Sequence, residues 1–386
     1  MTEMHGVWFR TVTIYKNNIW SVGLYEAYED NGGSRTGALP RYHTDYPRCE
    51  KGCGFRKGHI ITKEDIPVLL SVGKDTIYIW ENDETMMHEN EAAEVLYRMS
   101  ACGTKKIEAD TQSGVSCGTA SKMHPSSVKE GKIEVIADCD GLLKVDSKKL
   151  EKVNSFGELM IATRHGNTTV KKGDKLAGTR IIPLVIKKDK LKEASNICED
   201  GPILDIKPFV VRKAAIITTG NEVYHGRIQD AFTPVIEKKI AEFGAQMMFH
   251  EVFDDDDKKI TDGCLRAIEA GAEIVFCTGG MSVDPDDKTP LAIKNTGARI
   301  VSYGSPVLPG AMFLLSYYDA GDRLVPICGL PGCAMYNKRT IFDIVLPRLM
   351  ACDMILADEL AGLGEGGLCL NCDVCTFPNC GFGKGF

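Results

Sequence analysis

The segment TGGMSVDPDDKTP, at positions 278–290, combines two glycines with three aspartates directly after the apolar stretch AEIVFC. Glycine lets the backbone approach a ligand closely, and the N–H groups of such a turn can bind a phosphate. Aspartates would repel that anion unless a divalent cation lies between them. The sequence therefore indicates metal-assisted chemistry on a phosphorylated ligand. The candidate aspartates are Asp230, Asp284, Asp286 and Asp287.

Comparable loops follow three other apolar segments of the chain. They are GNEVYHGRIQDAF after AAIITT, SPVLPGAMF after ARIVSYG, and LPGCAMYNKR after LVPICG. One such loop alone is an ordinary glycine turn. Ligands of an open α/β sheet bind beyond the carboxyl ends of its strands, so four of these loops at four strand ends predict one shared binding site.

Strands alternate with helices over residues 209–355, which predicts parallel βαβ units in a three-layer αβα sandwich. The predicted strands are KAAIITT, AQMMFHEVF, AEIVFCT, ARIVSYG and LVPICG. The predicted helices are TPVIEKKIAEFG, KKITDGCLRAIEAG, TPLAIKNTG and AMYNKRTIFDIVLPRLM. In the first helix we expect Thr233 as the cap, Pro234 at the first helical position and Gly244 as the stop. The acidic run of residues 254–257 is expected to cap and solvate the next helix.

The rest of the chain divides into three further segments. Residues 1–54 carry turn signals but little periodicity. Residues 55–208 read as a mixed α+β, β-rich module that ends in a linker near Pro202 and Pro208. Residues 356–386 form a tail rich in glycine and cysteine.

Four cysteines of the tail have the spacing of metal ligands. In CLNCDVCTFPNC, the intervals between Cys369, Cys372, Cys375 and Cys380 are two, two and four residues. Zinc and iron–sulfur sites use thiolates at such spacings, and the pattern does not choose between them. The alternative is a flexible tail whose thiols bind nothing.

Composition excludes several classes of protein. With 44% hydrophobic and 26% charged residues, the chain matches ordinary globular proteins, and its apolar runs are too short for a membrane helix. A net charge of −7 argues against nucleic acid as the main partner. The chain shows no secretion signal, and its 15 cysteines suit a reduced compartment, so we expect a cytoplasmic protein.

The loop motifs also carry a family resemblance. In this order, TTGNEV, GRIQD, TGGMSVDPDD, PVLPG and GLPGC resemble the molybdopterin-binding domain shared by molybdopterin adenylyltransferases, molybdopterin molybdotransferases and gephyrin. The resemblance is clear over about residues 210 to 350 and fainter over about 55 to 208, where RKGHIITKEDIPVLLSVGKDTIYIWE is similar to part of the molybdotransferases. Residues 1–54 fit no pattern of the family, which leaves true divergence or a reading-frame error as explanations.

The resemblance assigns roles to individual residues. Asp230 and Asp287 would position an oxyanion or a Mg²⁺ ion, with Lys288, Lys338 and Arg339 as countercharges. Asp286 is a further catalytic candidate, because it flanks Pro285 where the family carries a Gly-Asp pair. The pterin ligand and its phosphate would be held by Thr219, Gly220, Asn221, Glu222, Thr278, Gly279, Gly280, Ser282, Lys288, Pro309, Gly310, Gly329, Leu330, Pro331 and Gly332.

The implied function is the insertion of molybdenum, supplied as molybdate, into molybdopterin or its adenylated form. The alternative is a non-catalytic carrier or sensor of the finished cofactor, favoured by the displaced aspartate and by the lack of the family's N-terminal acidic motif. A third option is hydrolysis of a nucleotide derivative, as in relatives of the competence-damage type. The resemblance further implies a homo-oligomer, with molybdoenzymes or other cofactor-synthesis proteins as partners.

Overall fold

The computed structural model describes residues 10–15, 18–21, 65–71, 76–79, 85–104, 122–282, 284 and 287–385. The chain forms two compact units, Met1–Met86 and Met87–Phe386. The first unit contains a three-stranded antiparallel sheet and one helix. Its elements are β1 (Arg10–Tyr15), β2 (Asn18–Ser21), α1 (Asp65–Ser71) and β3 (Thr76–Ile79). Most of the predicted segment 1–54 lies outside the described residues.

The region that follows is mixed and rich in β-structure. Its elements are β4 (Met86–His88), α2 (Glu89–Ala101), β5 (Met123–Pro125), β6 (Lys132–Ala137), β7 (Gly141–Val145), α3 (Ser147–Asn154), β8 (Leu159–Thr163), β9 (Thr168–Val170), β10 (Lys175–Ile181), β11 (Val185–Lys187), α4 (Lys188–Asn196) and β12 (Leu204–Lys207). Antiparallel sheets of order β5-β6-β10-β8 and β12-β7-β9 share a core with α2, whose Leu96 and Met99 are fully buried. We call these residues, 87–208, the middle region.

The α/β domain contains the predicted three-layer sandwich. Its elements are β13 (Lys213–Thr219), α5 (Asn221–Tyr224), α6 (Phe232–Ala241), β14 (Gln246–Phe253), α7 (Asp257–Glu269), β15 (Ile274–Thr278), α8 (Thr289–Asn295), β16 (Arg299–Tyr303), β17 (Leu314–Asp319), β18 (Leu324–Leu330), α9 (Cys333–Tyr336), α10 (Ile341–Met350) and α11 (Ala357–Ala361). The strands form one six-stranded sheet of order β14-β13-β15-β18-β17-β16.

Helices cover both faces of this sheet. Ile236 of α6 and Phe342 of α10 belong to the core on one face. Ile260 of α7 and Ile293 of α8 belong to the core on the other. Helices on both faces of a mainly parallel sheet confirm the expected fold class.

Two elements of the domain differ from the sequence prediction. Strand β17 was not predicted, and it pairs antiparallel with both of its neighbours, so the sheet is mixed. The long helix predicted from residue 334 to residue 350 is two helices, α9 and α10. The second one starts at a capping box, in which Phe342 N donates to Thr340 Oγ1 (3.2 Å) and Thr340 N donates to Asp343 Oδ2 (2.9 Å). These bonds satisfy the free amides of a new helix start.

The cap of α6 also differs from the prediction. The helix begins at Phe232, so the expected cap Thr233 lies inside it. Asp230 supplies the capping carboxylate, because Oδ1 accepts hydrogen bonds from Phe232 N (2.8 Å) and Thr233 N (3.1 Å). A residue predicted to be catalytic therefore holds the start of a helix.

The C-terminal tail packs against the α/β domain. Leu308 N donates to Gly367 O and Cys369 N donates to Leu308 O, both at 2.8 Å. Phe382 is only 5% exposed and joins the core beside α10. None of the described helices combines the length and apolar character that a membrane-crossing helix requires.

Candidate functional site

Four parallel strands of the α/β sheet, β13, β14, β15 and β18, end at the same edge. The register pairs Thr218 with Thr278 and Thr278 with Leu330. In open α/β sheets, ligands bind at this edge. We call the edge, with the segments 220–231, 254–256, 279–288 and 331–340 that leave it, the rim.

Two glycines after β15 are required by the packing of the rim. Gly279 has a φ of +82°, and a Cβ atom there would overlap the carbonyl oxygen of Thr219. Gly280 has a φ of +52°, and a Cβ atom would lie 2.8 Å from Oγ1 of Thr289. A residue with a side chain is disfavoured at both positions by conformation and by space. The glycine pair therefore allows the β15 loop to contact the end of β13 directly.

Hydroxyl groups join the ends of β13 and β15 beneath this loop. Thr219 Oγ1 donates to Thr278 O (3.1 Å), and Thr289 Oγ1 donates to Gly279 O (2.9 Å). The two hydroxyl oxygens lie 3.0 Å apart, and both side chains are buried. The network fixes the floor of the rim between β13 and α8.

The hydroxyl of Thr278 does not take part in this network. Thr278 is fully buried, and its Oγ1 atom has no hydrogen-bond partner within the described part of the chain. A buried polar group without a partner costs about 1–3 kcal/mol. The last residue of β15 thus carries an unsatisfied hydroxyl at the edge of the sheet where ligands bind.

Acidic side chains crowd the mouth of the rim. Asp255 Oδ2 accepts a hydrogen bond from Asn221 N (3.2 Å). Burial raises the pKa of Asp255, and the nearby carboxylates of Glu222, Asp287 and Asp254 raise it further, although the Asn221 amide opposes them. Carboxylates of two other segments, Glu222 and Asp287, therefore lie close enough to Asp255 to disfavour its charged form.

Asp255 was not singled out from the sequence. The acidic run was expected to cap α7, and Asp256 does so by accepting from Lys258 N (2.9 Å) and Lys259 N (3.2 Å). Asp255, one residue earlier, faces the rim loop instead. Its position directly after a strand of the predicted sheet was the available signal.

Asp287 closes its own loop. Its Oδ2 atom accepts a hydrogen bond from Ser282 N (2.7 Å), and its backbone N donates to Asp284 O (3.0 Å). Pro285 and Asp286, which lie between Asp284 and Asp287, are outside the described residues. The catalytic role of Asp286 therefore stays a prediction.

Asp230 makes a different set of contacts. Its Oδ2 atom accepts from Thr233 Oγ1 (2.6 Å) and Thr218 Oγ1 (2.9 Å), and His250 Nε2 lies 3.6 Å away. Burial raises the pKa of Asp230, but the hydrogen bonds from Thr233, Thr218 and the Phe232 amide outweigh it, so the pKa lies below its ordinary value. The carboxylate is committed to the start of α6.

Asp230 and Asp287, two of the three aspartates predicted to be catalytic, are not brought together. Thr218, which contacts Asp230, and Thr219, which contacts α8, are consecutive strand residues and point to opposite faces of the sheet. Asp230 accordingly lies on the α6 side, and Asp287 interacts with Ser282 and Asp255. The charge of Asp287 instead adds to burial in raising the pKa of Asp255.

Comparison with known families agrees with this fold and its loops. Residues 215–351 match the family described as a probable molybdopterin binding domain. This part of the chain belongs to the molybdopterin-binding domain family. Residues 46–81, largely outside the described residues, match a domain of unknown function.

Similar curated proteins cover only part of the chain. A putative competence-damage inducible protein of Bacillus velezensis is 29% identical over 90 residues, which are 23% of this chain and 21% of the relative. One from Bacillus cereus strain B4264 is 32% identical over 129 residues, which are 33% of this chain and 30% of the relative. The chain thus spans about a fifth to a third of the length of these relatives.

Solved structures similar to the chain include two from Pyrococcus. The tungsten cofactor synthesizing protein MoaB from Pyrococcus furiosus is 18% identical, with a TM-score of 0.28, over 36% of this chain and 88% of that one. The molybdopterin biosynthesis moeA protein from Pyrococcus horikoshii OT3 is 15% identical, with a TM-score of 0.25, over 48% of this chain and 44% of that one.

The remaining candidates for pterin contact lie on other segments of the molybdopterin-binding domain. Gly329 and Leu330 are buried at the end of β18, where a Cβ atom on Gly329 would lie 2.5 Å from Met281 of the β15 loop. Gly310 has a φ of +131° and packs directly against Ile341. Gly332, after Pro331, has open space around it.

Two predicted countercharges are engaged elsewhere in the domain. Lys338 Nζ donates to Asp373 O of the tail (3.3 Å), and Arg339 pairs with Asp343 of α10 (2.9 Å). Lys338 therefore contacts the tail and Arg339 contacts α10. Both residues follow the short helix α9.

The tail cysteines do not form a metal site in the structure. No three His, Cys, Asp or Glu side chains in the described ranges lie close enough together to hold a metal ion, and all four tail cysteines are described. Cys375 is exposed, and its pKa is lowered by the Phe377 amide and by Arg339. The intervals between the cysteines along the chain therefore do not correspond to a cluster of thiols in the described structure. The described residues of the rim likewise contain no group of three such side chains that could hold the predicted Mg²⁺ ion.

Proposed function

We propose that the rim of the molybdopterin-binding domain binds molybdopterin, free or adenylated, and that the chain inserts molybdenum into it during cofactor biosynthesis. The observation that carries the proposal is the unpartnered hydroxyl of Thr278. It lies at the end of a central strand, within the segment that matches the family. A ligand oxygen that accepts from this hydroxyl would remove a cost of about 1–3 kcal/mol.

The glycine loop supports phosphate binding at the same place. Gly279 and Gly280 hold the β15 loop close to Thr219, and neither position has a side chain that would cover the backbone amides of the loop. Amides of this kind bind phosphate without a basic surface. Because Thr278 is inaccessible in the present conformation, the loop must shift when the ligand enters.

The rim acids restrict which ligands fit. Burial and the charges of Glu222 and Asp287 raise the pKa of Asp255, so an anion would be repelled at this carboxylate and must be held on the glycine side of the rim. These donors do not form a ready metal site among the described residues, and no step through Mg²⁺ is assigned to them. Molybdate is the substrate of the proposed reaction.

Anaerobic titration of the full chain with molybdopterin tests the binding proposal. Saturable binding, with a higher melting temperature, is expected for molybdopterin and its adenylated form. The nucleotide controls ADP and ADP-ribose should give neither effect. Binding of the nucleotides but not of the pterins would reject the proposal.

Molybdate-dependent formation of the molybdenum cofactor tests the insertion step. The Asp287→Asn variant keeps an oxygen that can accept from Ser282 but loses the charge at the rim. We expect it to bind pterin and to lose most of its insertion activity. Full activity in this variant would contradict a role for the Asp287 charge.

A carrier of the finished cofactor is the second candidate function. The observation that favours it is the separation of Asp230 from Asp287, since Asp230 is committed to capping α6. A carrier would bind the finished cofactor tightly and show no molybdate-dependent turnover in the wild-type chain. An enzyme would show turnover, so the same assay separates the two functions.

A further inference from the structure

A cavity lies away from the rim, between the middle region, α10 and the C-terminal tail. It has a volume of about 310 Å³, at the lower end of the range for small-molecule pockets. Residues 165–167 of the middle region form one wall, and Gly383 and Lys384 of the tail form another. Arg348 also lines it, seven residues along α10 from Ile341 and therefore about 10 Å from the end that faces the rim.

The tail wall of this cavity is closely fitted. Gly383 has a φ of +72°, and a Cβ atom there would lie 2.7 Å from Ile344 of α10. A Cβ atom on Gly385 would overlap the carbonyl oxygen of Gly362. Gly383 and Gly385 therefore allow the tail to pack closely against α10 and against the turn after α11. A residue with a side chain at either position would displace this wall of the cavity.

Charged side chains lie along one side of the cavity, which Lys144, Arg348 and Glu359 line. Asp353 accepts from Arg348 Nε (2.6 Å) and Lys144 Nζ (2.8 Å), and Lys207 binds its other oxygen (2.5 Å). Glu359 lies 2.9 Å from Arg348. This group therefore contains three cationic side chains and two carboxylates, which leaves one positive charge in excess.

Lys384 adds a cation that no acidic side chain of the described residues neutralises. It is half-buried and lines the cavity, and within the described ranges its ammonium has no ion pair or hydrogen bond. Burial lowers its pKa, Cys380 raises it, and Arg164 lowers it further. A half-buried ammonium without a counter-ion is costly, and an anion beside it would remove the cost.

We propose that this cavity binds a small organic anion, through a carboxylate or phosphate group that pairs with Lys384. His165 and Arg348 line the same space and carry side-chain N–H groups that can donate hydrogen bonds to the anion. The site is separate from the rim, so the ligand is a second one in addition to the pterin, and a tie between the tail and the middle region is the structural consequence of its binding.

Calorimetric titration of the full chain with citrate and with glycerol 3-phosphate tests the proposal, in buffers matched in ionic strength with sodium chloride. The two probes separate a carboxylate from a phosphate ligand. We expect saturable binding of at least one probe, at least tenfold weaker in Lys384→Gln and changed less than threefold in Lys384→Arg. Lys172→Gln, which removes an exposed lysine of the middle region, is the matched control and should bind as the wild type does.

Two results would overturn the proposal: no saturable binding of either probe, or equal binding by Lys384→Gln and the wild type. A measurement on the wild-type chain avoids any effect of the variants on folding. Acetylation of Lys384, followed by mass spectrometry, should be slowed by the bound probe, while acetylation of Lys172 should not. Equal acetylation of Lys384 with and without a saturating probe would also overturn it. Loss of pterin binding leaves these outcomes unchanged, because the rim is a different site.

Discussion

At the scale of single residues, the structure divides the predicted site into groups that hold the rim and groups that face a ligand. The GRIQD motif predicts a catalytic role for Asp230, but its position two residues before Phe232 makes it a helix cap. Asp255, which belongs to no such motif, faces the rim. The difference depends on which way a loop side chain turns, and the pattern of a single chain does not contain that information.

The glycine requirement at the rim predicts a contrast between two alanine variants. Gly279→Ala places a Cβ atom against Thr219 O at a positive φ, so unfolding by urea should show a loss of about 2–4 kcal/mol. Gly332→Ala, in open space with a φ of −53°, should change stability by less than about 0.5 kcal/mol. Equal stability of the two variants would show that the β15 loop does not pack as described.

At the scale of elements, hydrophobic periodicity and the turn residues at segment ends predicted most of the strands and helices of the α/β domain. Strand β13 was predicted with the bounds it has, since KAAIITT is apolar and ends at a glycine. Strand β17 was missed, because a short apolar run such as LLSYYD does not distinguish a strand from a buried helix segment. The break before α10 was missed, because its capping box uses aspartate, at Asp343, where the usual pattern has glutamate or glutamine.

The docked tail predicts that an aromatic residue near the C-terminus stabilises the domain. Phe382→Ala removes a side chain that is 5% exposed, so we expect a loss of about 3 kcal/mol in the free energy of unfolding and faster proteolysis of the tail. Leu370→Ala, at a position 77% exposed, is the control and should change neither. If Phe382→Ala left both unchanged, the tail would not be part of the domain in solution.

At the scale of the whole molecule, Asp353 links the middle region to the molybdopterin-binding domain. It follows α10 and binds Lys144 and Lys207 of the middle region. Residues so distant in sequence give no signal of contact in one chain, so composition and spacing did not predict this link. The order of the strands in the sheet brings Asp255 near the β15 loop. This order also depends on contacts between distant residues, so the sequence alone did not predict it.

The ion pairs of Asp353 with Lys144, Lys207 and Arg348 lead us to predict a specific dependence of stability on pH. Burial raises the pKa of Asp353, but Lys144, Lys207 and Arg348 lower it to about 2 overall. Because the folded pKa is depressed, the stabilisation is complete above about pH 4, and about 2 kcal/mol is lost as the pH falls towards 2. Urea unfolding midpoints measured across this range should show the loss in the wild type.

Replacing Asp353 by asparagine should remove that dependence. The variant leaves three cations without their shared carboxylate, so we expect it to be less stable by about 3–5 kcal/mol at neutral pH. Asp322→Asn, at a side chain 72% exposed, is the control and should keep the wild-type profile. An unchanged pH profile in Asp353→Asn would contradict the link.

The most direct test of the account is the affinity of the Thr278→Val variant for molybdopterin, measured together with its stability. Valine keeps the shape of threonine and removes only the buried hydroxyl that has no partner in the described structure. We predict that the free variant is as stable as the wild type or more stable, and that it binds molybdopterin at least about fivefold more weakly, because the hydroxyl is satisfied only by the ligand. Unchanged affinity, or a loss of stability without any ligand, would contradict the placement of the pterin at the end of β15.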